Sequence, residues 1–180
     1  MNRIRISGNL EKDGRVFDQG HLYSLRVTRK SGTTDDLLVV AGDGLPEGGV
    51  MVTGHLESSY MKGIGVPAYI VPESVEPCEV DNSSMAVFTG VLKSDPVTRR
   101  THGGKPICPI LLVSEDGQVP VLLWGDDAGA VEGYSAGDTL TVAGRLQSRG
   151  YKRKKDGSRH VTWELSASRF GEGEREDMWT

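Results

Sequence analysis

The chain has 180 residues, of which 37% are hydrophobic, 26% charged and only 6% aromatic. This balance excludes a membrane protein and a disordered polymer, and the length fits one domain or two small ones. The net charge of −4 shows that the chain is not basic overall. A surface that binds nucleic acid would therefore have to be a local cluster of basic residues. The 24 glycines, with short apolar stretches rich in Val, Leu and Ile between them, predict an all-β protein with many tight turns.

Cysteine usage and the N-terminus indicate the compartment. Cys78 and Cys108 are the only cysteines, and neither has a CxxC partner. Zinc binding and thioredoxin-type redox chemistry are therefore unsupported, and two free thiols in a reducing cytosol are favoured over one disulfide. The N-terminal residues lack the apolar stretch of a secretory signal, and no apolar stretch approaches the ~20 residues that cross a bilayer. We expect a cytoplasmic protein.

The sequence contains an internal repeat of three short blocks in the same order. The blocks pair residues 6–10 with 88–92, residues 37–42 with 121–125, and residues 52–58 with 142–148. Four matches in seven residues, as between VTGHLES and VAGRLQS, arise easily by chance, whereas three ordered blocks at similar separations do not. The repeat predicts two similar halves.

Each half is predicted to contain five strands, from alternating and short apolar patterns. The predicted strands are residues 3–10, 21–28, 37–41, 50–58 and 68–75 in the first half, and 86–92, 108–114, 119–124, 139–148 and 160–168 in the second. Residues 126–134 can hold one or two helical turns after the third strand of the second half. The corresponding residues 43–49 of the first half are too few for a helix.

Glycine recurs inside the first and fourth predicted strands of each half, as Gly8, Gly54, Gly90 and Gly144. A glycine inside a strand weakens pairing unless the strand must bend or bulge, and small closed barrels need such bends. Five strands with these glycines and an optional helix after the third predict an OB-fold, a five-stranded Greek-key barrel, in each half. A five-stranded sandwich of another topology is the alternative.

The predicted organisation is therefore two tandem five-stranded OB-fold (Greek-key) barrels followed by a short tail. The predicted boundaries are an N-terminal OB-fold at 1–78, a polar, proline-flanked linker at 79–85, a C-terminal OB-fold at 86–170 and an acidic tail at 171–180.

Residues 138–164 carry the most specific pattern of the chain, DTLTVAGRLQSRGYKRKKDGSRHVTWE. This segment resembles the bacterial single-stranded-DNA-binding protein family, in which a "GD.L.V.GRLQ.R.Y...DG..R..TE" pattern forms strand four, a hairpin and strand five of an OB-fold. Residues 90–99 resemble the opening "G.L..DPE.R" segment of the family, and residues 122–125 resemble its "V..FG" third strand. The resemblance covers residues 86–169 well and residues 3–76 faintly, through the repeat.

The resemblance assigns base-stacking positions to Trp124 and Tyr151. The first half has Ala41 at the position of Trp124, and Tyr60 lies near that of Tyr151 but one register off. The resemblance therefore assigns stacking to the second barrel. The hairpin between strands two and three, which is long in the family, is here only residues 114–118. Trp163, within the fifth strand, is expected to belong to the core.

Cations cluster around Tyr151 in one predicted hairpin, and a second basic loop precedes the second strand. Binding a single nucleic-acid strand without sequence preference requires cations for the backbone and aromatic faces for the bases. An idle, solvated hairpin tip is the alternative, but an aromatic ring among cations in an OB pattern favours binding. The predicted nucleic-acid-binding residues are Trp124, Tyr151, Arg145, Arg149, Lys152, Arg153, Lys154, Lys155, Arg159, Arg99, Arg100 and Lys105.

The sequence does not indicate a catalytic function. The four histidines lack metal-ligand spacing, and neither a phosphate loop nor a Gly-x-Ser-x-Gly elbow is present. We expect a protein that is not an enzyme and that needs no metal or cofactor.

The resemblance implies a sequence-independent single-stranded-DNA-binding protein of replication, recombination, repair or a mobile element, associated with the nucleoid. Because family members assemble four OB-folds, it also implies a homodimer. The tail loosely resembles the acidic tip that recruits replication and repair proteins in the family, and a merely solubilising tail is the alternative. The alternative function is a primosomal-type OB-fold module that contacts proteins and binds DNA weakly or not at all.

Overall fold

The computed structural model of the chain is built almost entirely of strands. The structure describes residues 1–17, 20–58, 68–152 and 154–180, and the side chains of residues 15–17, 151, 159 and 160 lie outside that description. The strands are β1 (Asn2–Phe17), β2 (Gly20–Thr28), β3 (Thr34–Ala41), β4 (Gly48–Glu57), β5 (Tyr69–Pro77), β6 (Ser84–Leu92), β7 (Arg99–Arg100), β8 (Pro106–Ser114), β9 (Gly117–Trp124), β10 (Thr139–Lys152) and β11 (Arg159–Glu172).

The first five strands close into a barrel. β1 pairs antiparallel with both β2 and β4, while β2 pairs with β3 and β4 with β5. A short parallel contact between β3 and β5, at Val39 and Ile70, closes the barrel. The second half repeats this order with β6, β8, β9, β10 and β11, closed by the parallel pairing of β9 with β11. The prediction of two five-stranded OB-fold barrels is confirmed.

The helical segment and the two cysteines also agree with the sequence analysis. A short helix, α1 (Asp126–Ala130), and a 3-10 turn (Val131–Gly133) fill the predicted helical segment of the second half. Cys78 and Cys108 are both free thiols, as expected, and burial raises the pKa of the Cys108 thiol. None of the described helices is long and apolar enough to cross a membrane.

The interior of each barrel is apolar, because alternate residues of every strand point inward. Trp163 is 1% exposed and is the largest buried side chain of the second barrel, and Tyr23 is 1% exposed in the first. The prediction that Trp163 belongs to the core is confirmed. Tyr23 also belongs to the core, and its hydroxyl donates to the Gly42 carbonyl at 3.2 Å.

Gly54 and Gly144, which are equivalent in the repeat, mark the bends that close the two barrels. The register of β4 against β5 shifts between Thr53 and Gly54, and that of β10 against β11 shifts between Ala143 and Gly144. A Cβ atom at Gly54 would lie 2.2 Å from the Val71 carbonyl oxygen, and one at Gly144 would lie 2.1 Å from the Ser166 carbonyl oxygen. Both bulges therefore require glycine, because no side chain fits against the partner strand.

The two barrels share a continuous sheet, because the first strands of the two barrels pair with each other. β1 runs antiparallel to β6, with Ile4 opposite Ala86 at the centre, Asn2 opposite Phe88 and Ile6 opposite Ser84. Since residues 6 and 88 are equivalent in the repeat, this register is symmetric and defines a pseudo-twofold axis.

The polar start of each first strand makes the same hydrogen bonds in both barrels. The Asn2 side chain accepts from the Leu56 amide at 3.0 Å and donates to the Leu56 carbonyl at 2.7 Å. The Ser84 hydroxyl makes the same two contacts with Leu146, at 3.3 and 3.4 Å. β6 thus begins at Ser84, inside the predicted linker 79–85, because that residue already pairs with Ile6 of β1 and its hydroxyl bonds to Leu146 of β10.

The C-terminal residues, predicted as an acidic tail, are packed against the second barrel. β11 extends to Glu172, and a 3-10 turn at Glu176–Trp179 follows it. Met178 is 5% exposed and packs on Val87 and Ala143. This outer patch is apolar in the second barrel, so the turn buries its methionine there.

The N-terminus forms an ion pair with Glu174, which lies just before this turn. The Met1 amino group donates to Glu174 Oε1 at 2.8 Å, and this hydrogen bond lowers the pKa of the Glu174 carboxyl. The acidic start of the tail is therefore engaged in the described structure rather than extended into solvent.

The two bulge glycines can be tested by adding a methyl group. We expect Gly54→Ala and Gly144→Ala each to lower the free energy of unfolding by about 1–3 kcal/mol, because the new Cβ would overlap a partner-strand carbonyl. Gly129→Ala is the control, because Gly129 lies in α1 with open space at the Cβ position. It should change stability by no more than about 1 kcal/mol, in the stabilising direction. Denaturant melts of the three variants measure this, and equal effects at all three sites would contradict the bulge argument.

Candidate nucleic-acid interface

Trp124 ends β9 on the outer face of the second barrel. Its neighbour Leu123 is fully buried in the interior, so alternation turns the Trp124 ring outward, where it is half-buried. The indole Nε1 donates to the Ser166 hydroxyl of β11 at 3.0 Å, which fixes the orientation of the ring. Trp124 therefore differs from Trp163, since it is held at the surface by a polar contact rather than enclosed by the core.

The predicted basic loop lies beside this ring. The Lys105 ammonium stands 5.0 Å from the centre of the Trp124 ring, a cation–π geometry. Arg99 and Arg100 form β7, which pairs with the start of β8, and both side chains are exposed. A groove of about 470 Å³ runs between β7 and α1, with both arginines on its wall. The structure thus brings Trp124, Lys105, Arg99 and Arg100 together.

One residue of the helical segment anchors the loop that carries these cations. Glu132 Oε1 accepts from the Thr98 amide at 2.7 Å, and the Thr98 hydroxyl donates to the Ala128 carbonyl at 2.7 Å. The hydrogen bond from the Thr98 amide lowers the pKa of the Glu132 carboxyl. The loop is therefore held next to β9 through an ionised carboxylate.

Arg145 lies on β10 but faces the first barrel. Its Nη1 is buried, 3.7 Å from Asp35 Oδ2, and its side chain is 30% exposed. Asp35 is itself fully buried and also accepts from Arg29 Nε at 2.9 Å and from the Ser148 amide at 2.9 Å. The structure therefore places Arg145 in the joint between the barrels, a position that the sequence did not indicate. Its nucleic-acid-binding role stays a prediction.

Arg149 remains largely open to solvent. Its side chain is 63% exposed, and its Nη2 lies 3.7 Å from Glu164 Oε2. Glu164 is buried and also accepts from Gln147 Nε2 at 2.8 Å. Arg149 can therefore contact a ligand while its guanidinium balances a buried carboxylate.

The remaining predicted cations lie at the far end of the β10–β11 hairpin. Lys152, Lys154 and Lys155 are exposed there. Arg153 lies outside the described residues, as does Tyr60 of the first half. The side chains of Tyr151 and Arg159 are likewise outside the description, although their backbones pair in the hairpin, Tyr151 with His160 and Lys152 with Arg159. The stacking assignment of Tyr151 stays a prediction.

The β2–β3 turn of the first barrel borders this surface, which the sequence prediction did not include. Arg29 donates to the Ser148 carbonyl of β10 at 3.3 Å, and the Asp36 amide donates to the Ser148 hydroxyl at 3.0 Å. Lys30 is exposed on the same turn. The adjacent cations Arg29 and Lys30 were the available signal in the sequence, but only the fold shows that Arg29 contacts β10.

Among the described residues, no group of three or more His, Cys, Asp or Glu side chains is arranged to hold a metal ion. The site consists of exposed cations and one oriented ring on an antiparallel barrel face. The fold and the site define a class: a tandem OB-fold protein whose second barrel bears a cationic, tryptophan-containing outer face.

The comparisons agree with this class. A curated single-stranded DNA-binding protein of Clostridium tetani is 33% identical over 88 residues, which cover 42% of this chain and 61% of that relative. The match therefore spans less than two thirds of the relative's length. No family model matches the chain.

Two solved structures share the fold across nearly the whole chain. The single-stranded DNA binding protein of Thermus aquaticus has a TM-score of 0.70 at 21% identity, with 97% of this chain and 94% of that chain covered. A deletion variant of the same protein has a TM-score of 0.69 at 21% identity, covering 98% and 96%. The resemblance of this chain to the single-stranded-DNA-binding protein family is confirmed.

The anchoring role of Glu132 predicts a pH dependence. Since the pKa of its carboxyl is lowered in the folded protein, its contribution to stability is present above its ordinary pKa of 4.5 and is lost as the pH falls through the lowered value. We expect the protection of the Thr98 amide, its exchange rate relative to that of an unstructured peptide at the same pH, to fall below that pH in the wild type. In Glu132→Ala the protection should be low at all pH values. Glu115→Ala, which removes an exposed carboxylate elsewhere, is the control, and identical exchange in all three proteins would contradict the anchor.

Proposed function

We propose that the protein binds single-stranded DNA without sequence preference, in replication, recombination, repair or the life cycle of a mobile element. The observation that carries this proposal is the oriented Trp124 ring with Lys105, Arg99 and Arg100 beside it on the outer face of an OB barrel. Cations along a groove hold the phosphates, and an aromatic face stacks on any base, so the arrangement needs no sequence readout.

The wider setting follows from that ligand. The protein is proposed to act as a non-catalytic binding protein in the cytoplasm, associated with the nucleoid because its ligand lies there. A homodimer would bring together the four OB-folds typical of the family. Recruitment of replication or repair proteins through residues 171–180 would require Met178 to leave its site on Val87 and Ala143.

The stacking role of Trp124 predicts that its removal affects DNA affinity more than protein stability. We expect Trp124→Ala to weaken oligo-dT binding by about 1–3 kcal/mol, because a stacked base loses its platform. Its cost in stability should be smaller than that of Trp163→Ala, for which core truncation predicts about 3–5 kcal/mol. Oligonucleotide titrations and thermal melts of both variants measure the two effects. A large stability loss with unchanged affinity would show that Trp124 is a core residue and not a platform.

The hairpin cations predict a strong salt dependence. We expect the logarithm of the poly-dT association constant to fall linearly with the logarithm of the salt concentration, by about 0.7 per neutralised phosphate. Changing Lys152, Arg153, Lys154 and Lys155 to Glu together should remove most binding.

A charge-matched comparison serves as the control for the hairpin. Lys154→Glu with Lys155→Glu changes the net charge as much as Arg5→Glu with Lys93→Glu, which lie outside the candidate interface. Only the first pair should weaken binding and flatten the salt slope. Equal effects of the two pairs would show that the hairpin acts only through the overall charge of the protein. A wild type that does not bind poly-dT would favour the primosomal-type interaction module instead.

A further inference from the structure

A pocket lies on the outer face of the second barrel, at the bulge where β10 bends. Its volume is about 330 Å³, and its walls come from β6, β10, β11 and the C-terminal residue Thr180. No carboxylate side chain is among the described residues that line it. We call it the β10–β11 pocket, and the guanidinium and hydroxyl groups that the strands contribute to it are those of Ser84, Arg145, Ser166, Ser168 and Arg169.

The register of the sheet places this pocket beside Trp124. Arg145 of β10 pairs with Ser166 of β11, and Ser166 pairs with Leu122 of β9, two residues before Trp124. The Ser166 hydroxyl accepts from the Trp124 indole Nε1 at 3.0 Å, so its own hydrogen can still be donated to a ligand. Since neighbouring strands are about 4.8 Å apart, Arg145 lies two strand spacings, about 10 Å, from the strand that carries Trp124.

The charge balance of the joint leaves Arg145 as the surplus cation. Asp35 accepts from Arg29 Nη2 at 2.5 Å and from Arg29 Nε at 2.9 Å, so these two residues form a bidentate pair. Arg145 Nη1 lies 3.7 Å from the same carboxylate, too far for a hydrogen bond, and is buried without a hydrogen-bond partner among the described residues. Because one carboxylate cannot neutralise two guanidinium groups, an anion in the pocket would stabilise Arg145.

Arg169 and Ser168 form the β11 side of the pocket, and neither residue was predicted from the sequence. Both are exposed. Arg169 Nη2 donates to the Met178 carbonyl at 2.9 Å, which holds the guanidinium against the C-terminal turn. The Ser168 hydroxyl donates to the Ala143 carbonyl at 3.3 Å and can rotate toward a ligand. Guanidinium and hydroxyl donors around one concave volume are suited to the oxygens of a phosphate group.

The repeat shows that an OB barrel does not require these cations for folding. In the first half, the equivalents of Ser84, Arg145, Ser168 and Arg169 are, in that order, Asn2, His55, Glu73 and Ser74. The first barrel therefore closes with a carboxylate and no arginine at the same positions. The two arginines are a feature of the second barrel alone, which is also the barrel that carries Trp124.

We propose, on the basis of the proposed function, that the β10–β11 pocket binds a phosphate of the DNA strand whose base stacks on Trp124. Arg145 and Arg169 supply the positive charge, and the hydroxyls of Ser166 and Ser168 donate to the phosphate oxygens. The strand leaves the Trp124 ring across β11 and β10, in the direction of the first barrel. Arg145 thus serves both the joint between the barrels and the ligand.

Three single substitutions, each of which lowers the net charge by one, test the pocket with DNA. Arg145→Gln removes the central cation while Arg29 still pairs with Asp35, and Ser168→Glu places a carboxylate on the exposed side of the pocket. Each should weaken oligo-dT binding about tenfold, as expected for a lost hydrogen bond to a charged group, and reduce the salt slope by about 0.7. Lys93→Gln, on a residue that does not line the pocket, is the control and should leave the slope near that of the wild type. Circular dichroism melts establish that the variants are folded.

A second measurement needs no DNA. Inorganic phosphate, added at constant ionic strength, should shift the indole N–H resonance of Trp124 until the site is saturated, because the bound anion polarises the Ser166 hydroxyl that accepts from this indole. The indole resonance of Trp163, which is enclosed in the core, should not move. Arg145→Gln should abolish the shift of Trp124.

The phosphate site and the proposed function can fail separately. Equal salt slopes in the wild type and all three variants, with a wild type that binds oligo-dT, would overturn this inference alone, and a phosphate-induced shift of Trp124 in that case would assign free phosphate to the pocket instead of the strand. A wild type that binds no oligo-dT but shows the shift would refute the proposed function and leave the phosphate site. A wild type that shows neither binding nor shift would refute both.

Discussion

The antiparallel pairing of β1 with β6 is the constraint on which the rest of the structure depends. Its register is centred on Ile4 and Ala86, so the two barrels are related by an axis through their first strands. Once that axis is fixed, the turn between the second and third strands of each barrel must rest on the fourth strand of the other. The buried carboxylate of Asp35 then meets the Ser148 amide. The joint between the barrels therefore follows from one strand pair.

The barrels themselves could be predicted because their determinants are local. Alternating side chains set the strands, and Gly54 and Gly144 recur where each barrel must bend against a partner carbonyl. The ends of the long hairpin were harder to predict. β11 extends to Glu172, beyond the predicted end at residue 168, because it continues to pair with β10 as far as Leu140. A polar sequence does not reveal how far such a pairing extends.

The candidate site was predictable only in part, for the same reason. Trp124 is identified by the resemblance and the loop cations by their clustering in the sequence, and the structure places Lys105 over the Trp124 ring. Arg145 belongs to the same pattern, yet its guanidinium faces Asp35, a residue of the other barrel. The Asp35 contact with Ser148 joins residues 113 positions apart. No periodicity or spacing within one half encodes a contact between the halves.

The Asp35 joint also shows how far the two halves of the repeat have diverged. Counted back from the equivalent glycines Gly42 and Gly125, the counterpart of Asp35 is Gln118, and the counterpart of Arg145 is His55. The carboxylate is therefore supplied by one half and the guanidinium by the other, while the reverse pair is absent at the equivalent positions. A chain with two copies of the second half would place Arg145 opposite a glutamine, and one with two copies of the first half would bury Asp35 opposite a histidine. The halves have become complementary parts that are no longer interchangeable modules.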